Sequence, residues 1–180
     1  MKNDNVHIVY SQAVIEFTTV VAETCRFLEN LDTAKKTGFI ATALRLFSLL
    51  YLKTVLLEIP ENADDRAMYQ YVGRTDYDYV KQMIAQILGA DDSFLDTSHP
   101  DMSYSDLPIA ATVSESIADV YQEIRDYAEN FQSGNELVMN EALTACLDSF
   151  CEHWGLKLLN AVRALHLLKC KKQEEGYNFS

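Results

Sequence analysis

The chain has 180 residues, 48% hydrophobic and 23% charged, with six Gly and three Pro; this excludes general disorder, suits one hydrophobic core, and leaves too few turn formers for an all-β or α/β fold. Fifteen Lys and Arg against 27 Asp and Glu give a net charge of −12, which repels a phosphate backbone and argues against nucleic acid as a partner. The acidity is concentrated in residues 58–106, which hold 11 acids and three bases.

Taken in chain order, Tyr10–Ser11 opens a first helix in which Val14, Phe17, Val21, Cys25 and Leu28 recur at spacings of three and four, ending near Asn30. Thr33 is the expected cap of a second helix running to about Glu58 and stopped by Pro60. That helix is apolar on nearly all sides (Leu44, Phe47, Tyr51, Val55), so it is expected at the centre of the core. Phe39–Ile59 is also long enough to cross a bilayer, but Arg45 and Lys53 interrupt it, each at a cost of about 2.5 to 3.5 kcal/mol, so a membrane span is not expected.

Residues 60–75 lack a sustained period and read as a connection. A third helix covers Asp76–Leu88, with acids in its first turn and Gly89 as its stop. Residues 90–107 are rich in Asp and Ser and form the longest expected irregular segment; their acids lack the alternating ligand ladder of a calcium loop. Thr112 and Glu115 form a capping-box pair for a helix ending at Ser133–Gly134, with Ile117, Val120, Tyr121, Ile124, Ala128 and Phe131 inward.

The last helix runs from Glu136 to about Lys172, with Gly155 as its expected bend. Leu143, Leu147, Phe150, Trp154, Leu158, Ala161, Leu165 and Leu168 form its core stripe. The expected product is an all-α, single-domain bundle of about five helices, ordered over about 8–172, with residues 173–180 frayed.

The cysteines at 25, 146, 151 and 170 have no zinc-type spacing and read as buried thiols, and MKNDNVHIVYSQ lacks the apolar core of a secretory signal, so a cytoplasmic setting is expected. Neither a Glu-x-x-His pair nor two His at i, i+4 occurs, and no glycine-rich phosphate loop or nucleophile elbow is present; no metal or cofactor is expected. Cys151 and His153 diverge by about 200° on a helix and cannot form a dyad. Only two residues separate Arg163 from His166, which does not match the Arg-to-His spacing of helical endoribonucleases.

Polar residues on the last helix mark the candidate site. Asp148, Glu152, Arg163 and His166 project within about 60° of one another beside Leu156 and Leu159, a mixture that suits packing against another helix through a paired network. In the helix before, Glu115, Asp119, Gln122, Glu123 and Asp126 line one polar face that reads as a solvated acidic stripe, with a contact from Asp119 to Arg163 or a histidine of the last helix as the alternative that the sequence leaves open. Were this a catalytic cleft, His153 or His166 would be its base, oriented by Asp119 or Glu152, with Arg163 holding an anionic substrate.

The segments Ser-Ile-Ala-Asp-Val-Tyr (116–121), Phe-Cys-Glu-His-Trp-Gly (150–155) and Asn-Ala-Val-Arg-Ala-Leu-His (160–166) together resemble a family of uncharacterised bacterial proteins, a domain of unknown function, over roughly residues 112–168. The resemblance implies an all-helical fold and a bacterial cytoplasmic setting, and its matching polar and aromatic positions are Asp119, Tyr121, His153, Trp154, Arg163 and His166. Lys157 stands where relatives often carry a second histidine, which weakens a paired-histidine metal site. The leading functional expectation is a non-enzymatic bundle that binds a protein partner or itself through the acidic middle segment or an apolar groove; the alternative is a small-ligand binder or enzyme with a polar cleft around His153, Arg163 and His166.

Overall fold

The computed structural model describes residues 8–32, 34–58, 68–96 and 109–177. Within them lie α1 (Gln12–Glu29), α2 (Lys36–Val55), α3 (Arg74–Leu88), β1 (Ser93–Asp96), β2 (Ile109–Thr112), α4 (Val113–Phe131), α5 (Glu136–Ser149) and α6 (Gly155–Tyr177). A single π-helical turn, Phe150–Trp154, joins α5 to α6 in one continuous rod, so five helical rods make the bundle expected from periodicity. The expected caps at Thr33 and Pro60, residues 60–67, most of the 90–107 segment and residues 178–180 lie outside the described residues.

Local chemistry sets most helix ends. Ser11 accepts the Val14 amide at 3.3 Å and Thr112 accepts the Glu115 amide at 3.2 Å, each satisfying an amide that has no partner within its helix. At the start of α3, the Asp76 carboxylate accepts the Gly73 amide at 3.2 Å. Gly89 and Gly134 close α3 and α4 with φ of 59° and 69°, a region that glycine enters without a Cβ clash. The start of α2 is different: its N-cap position is Lys35, which makes no side-chain cap bond.

The rods pack around α4, which contacts α1, α3, α5 and α6. Its expected stripe is buried apart from a half-buried Phe131, and Tyr127 lies fully inside with its ring 5.2 Å from Phe17 and its hydroxyl 2.7 Å from that of Thr18. The expectation that α2 would be central is therefore corrected. Helix α2 packs on α1 and α6 along one side, and Leu49, Leu52, Val55 and Leu56 at its other side are 39%, 51%, 49% and 60% exposed. Among the described residues it is the one helix long and apolar enough to cross a membrane by length and composition.

Two short strands modify the all-helical picture. β1 and β2 pair antiparallel from Ser93↔Thr112 to Asp96↔Ile109, within and just after the segment expected to be irregular. Asp92 ties this hairpin to the bundle by accepting the Ser114 amide at 2.8 Å and the Ser114 hydroxyl at 2.7 Å at the N-terminus of α4. At the other end of the chain, α6 continues to Tyr177, past the point of expected fraying. Lys171, Lys172, Gln173 and the two glutamates after them are good helix formers, so the backbone stays helical after the apolar stripe stops.

The irregularity at Gly155 has a steric origin. The π turn carries the Gly155 amide onto the Phe150 carbonyl, and a Cβ at Gly155 would sit 2.5 Å from that oxygen and 2.8 Å from the Phe150 ring. Gly155→Ala is thus expected to cost about 2 kcal/mol, because backbone rather than a flexible side chain must yield. Chemical denaturation measures this, and an alanine variant as stable as the parent would show that the turn relaxes freely.

Candidate functional site

The residues singled out from sequence divide among three places. Asp119 faces α3 and α6: Tyr77 donates to its Oδ1 at 2.7 Å and Lys157 approaches its Oδ2 at 3.2 Å. Its partner on the last helix is thus Lys157, in place of the expected Arg163 or histidine. Burial and the Asp119 carboxylate together raise the Tyr77 phenol well above its ordinary value, so it stays protonated and donating. Tyr77 and Asp119 line a cavity of about 480 Å³ between α3 and α4, which the Lys81–Glu115 pair also lines.

Tyr121 lines a neighbouring cavity of about 580 Å³ with Glu29, Tyr71, Val72, Asp76, Tyr79, Arg125 and Glu129. One wall is the extended segment 68–73, which α4 holds by its backbone. The buried Asp126 accepts the Tyr71 and Val72 amides at 2.7 and 2.8 Å through one oxygen, and the buried Asn130 bonds both the amide and the carbonyl of Tyr69 at 3.3 and 2.9 Å. Inside the cavity the polar groups satisfy one another. Tyr121 donates to Glu29 at 3.0 Å, and Arg125 bridges Glu29 at 3.0 Å and Glu129 at 2.8 Å. Tyr79 donates outward to Asp32 at 2.7 Å. A cleft whose charges are already paired is a stitched interface between α1, α3 and α4, with little left for a ligand.

Glu152, His153 and Cys151 lie on the outer side of the π turn, where Phe150 and Trp154 take the inner side. All three are exposed, which corrects the reading of Cys151 as a buried thiol; Cys170 is half-buried, while Cys25 and Cys146 are buried as expected, and burial pushes the Cys25 thiol up to about 12. Trp154 is wholly buried, donating its indole N–H to the Cys146 carbonyl at 2.9 Å, with its ring edge-on to Phe150 at 4.7 Å. It is a core residue, not part of a polar site.

Arg163 and His166 lie together on the exposed face of α6, in a hollow of about 650 Å³ between α6 and α2 that Leu44, Ser48, Leu159, Val162, Lys169 and Cys170 complete. His166 Nε2 is 3.6 Å from Cys170 Sγ. His153 is absent from that lining, so the expected cleft of His153, Arg163 and His166 is not assembled. The expectation that the Asp148, Glu152, Arg163 and His166 face packs against another helix is likewise overturned, since all four are exposed with Leu156 and Leu159. Among the described residues no group of three or more His, Cys, Asp or Glu is placed to hold a metal ion.

What sequence reasoning missed is the setting of that face. Leu44 and Ser48 line the hollow with residues 159–170 while the Tyr51 ring lies tilted against Phe150 at 5.4 Å, so α2 and α6 run antiparallel. Neither Lys36–Val55 nor Trp154–Lys171 contains an acid, although the protein carries 27. Lys36, Lys53 and Lys157 pair with Asp91, Glu16 and Asp119 at the edges. Arg45, Arg163, Lys169 and Lys171 are exposed and make no ion pair among the described residues, and Arg163 and Lys169 line the α2–α6 hollow.

The comparisons with known proteins agree on family and fold. No curated protein matches. The crystal structure of protein BF1032 from Bacteroides fragilis is 35% identical, covers 91% of this chain and 96% of its own, and superposes with a TM-score of 0.79. Residues 8–171 match the domain of unknown function DUF5063, a longer stretch than the 112–168 in which the motifs lie. By that match and that likeness the chain belongs to the DUF5063 family.

Proposed function

We propose that the protein is a non-enzymatic helical bundle that holds a protein partner on the α2–α6 face. The observation that carries this reading is the exposure of large aliphatic side chains there: Leu52 and Leu56 at 51% and 60%, Leu156 and Leu159 at 48% and 42%. Scattered single leucines are ordinary on a surface, but a stripe of them along two adjacent antiparallel helices marks an interaction site. The groups an enzyme would converge are separated instead, with His153 and Cys151 on the π turn and Asp119 engaged by Tyr77 and Lys157. Four free cysteines suit a reducing cytoplasm.

The partner is a different protein, not a second copy, because two copies of a face that carries bases and no acid gain no ion pair from one another. Site-directed photo-crosslinking tests this in cells of the source organism. A crosslinking residue in place of Leu52 or Leu159 is expected to give one discrete protein adduct, and the same residue in place of the equally exposed Leu137 on α5 none. Adducts from both faces alike, no adduct at all, or only an adduct of the chain with itself would overturn the reading.

A further inference from the structure

We propose that the α2–α6 groove takes an acidic amphipathic helix of the partner protein, its aliphatic side chains entering the hollow at Leu44, Leu159 and Val162 and its carboxylates meeting Arg163 and Lys169. The inference rests on the reading of this face as a partner-binding surface and adds the chemistry of what binds. Three observations carry it: shape, apolar spacing and charge.

Shape comes first. Two antiparallel helices leave a groove between them, and the hollow of about 650 Å³ is a widening of that groove, suited to a third helix laid along it. The apolar spacing agrees. On α2 Leu44, Ser48, Leu52 and Val55 recur at spacings of four and three on the side that meets α6, and on α6 Leu156, Leu159, Arg163 and His166 do the same, so each helix offers one stripe along the seam, with Arg45, Leu49 and Leu56 projecting outward beside it. The α6 stripe is aliphatic at one end and basic at the other, and its basic end lies beside Leu44 and Ser48 while Tyr51 lies beside Phe150.

Charge then selects the partner. The face carries only bases in a protein of net charge −12, and a helix of opposite sign is drawn to it while the acidic remainder of the surface turns that helix away from other sites. A single nucleic-acid strand is the poorer fit, since its bases stack on aromatic rings and the exposed apolar residues of this seam are leucines and a valine. An anionic bilayer would also meet leucines and bases, but a flat surface leaves the hollow unfilled.

Fluorescence anisotropy with synthetic peptides of about 18 residues, five helical turns, tests the proposal. One peptide has leucines at helical spacing flanked by glutamates, a second replaces the glutamates with glutamines, and a third with lysines; vesicles of phosphatidylcholine containing phosphatidylglycerol form a separate arm. The glutamate peptide is expected to bind at least about tenfold more tightly than the glutamine peptide, a difference of about 1.4 kcal/mol, and to weaken as salt rises. Arg163→Glu with Lys169→Glu should abolish that preference and leave the melting temperature unchanged, both side chains being exposed. Equal binding of the glutamate and glutamine peptides overturns the acidic preference but leaves the face a protein-docking surface. Binding of no peptide overturns both readings, and binding to the anionic vesicles in place of the glutamate peptide replaces the partner helix with a membrane surface.

Discussion

Replacing Trp154 by alanine is expected to lower stability by about 4 kcal/mol, the largest single loss in this chain. The side chain is wholly buried, so its removal leaves a large cavity at the junction of α5 and α6 beneath α4. The same change removes the edge-on contact with Phe150 and the indole bond to the Cys146 carbonyl. For a domain of this size such a loss shifts the melting temperature by about 8 to 16 °C. Because Trp154 is the one tryptophan, unfolding should be followed by circular dichroism, not by its fluorescence. Trp154→Phe keeps the apolar ring but not the donor and should cost about half as much; an alanine variant within about 1 kcal/mol of the parent would show that the junction collapses around the gap.

Asp126→Ala is expected to be the next most damaging substitution, at about 3 kcal/mol. One carboxylate oxygen accepts two backbone amides, those of Tyr71 and Val72, and alanine leaves both without their partner against the side of α4. The wall of the Tyr121 cavity should then detach, which hydrogen exchange at the amides of 69–72 would detect as loss of protection. Asp126→Asn keeps an acceptor oxygen and is expected to retain most of the stability.

The asparagine variant also separates out the charge of Asp126. Burial raises the Asp126 carboxyl above its ordinary value, while the Val72 and Tyr71 amides pull it back. With the folded pKa above the unfolded one, the folded state binds the proton more readily, so this group's contribution to stability grows as pH falls through the window just above the ordinary carboxylate value of 3.8. The parent minus Asp126→Asn stability difference should therefore move in the parent's favour as pH drops from 7 towards 4. A pH-independent difference would show that the amide bonds compensate the burial completely.

Much of the architecture was legible because helix ends and helix faces are local matters. Ser11, Thr112, Gly89 and Gly134 each stop or start a helix through atoms within four residues, and the stripes on α1, α4 and α6 need no knowledge of what they pack against. The hairpin of β1 and β2 escaped because four-residue strands show too little alternation to register, and because Asp92 secures it through Ser114, 22 residues away. The candidate site was legible only in fragments. Arg163 and His166 do share a hollow, but His153 lies ten residues before Arg163, about 15 Å along the rod at 1.5 Å per residue, and does not reach it.

Sequence by itself therefore determined the all-helical class, the five rods and most of their boundaries, since each follows from periodicity and capping over a few bonds. Which face of an apolar helix is covered is a different kind of quantity, settled by how many neighbours reach it. Helix α2 is apolar all round, yet α1 and α6 cover it mainly from one side, with α4 taking the centre, so the leucines at 49, 52 and 56 and Arg45 face outward. Tertiary structure alone set Leu44 and Ser48 of that helix beside Leu159, Arg163 and Lys169, more than a hundred residues on, in one acid-free hollow.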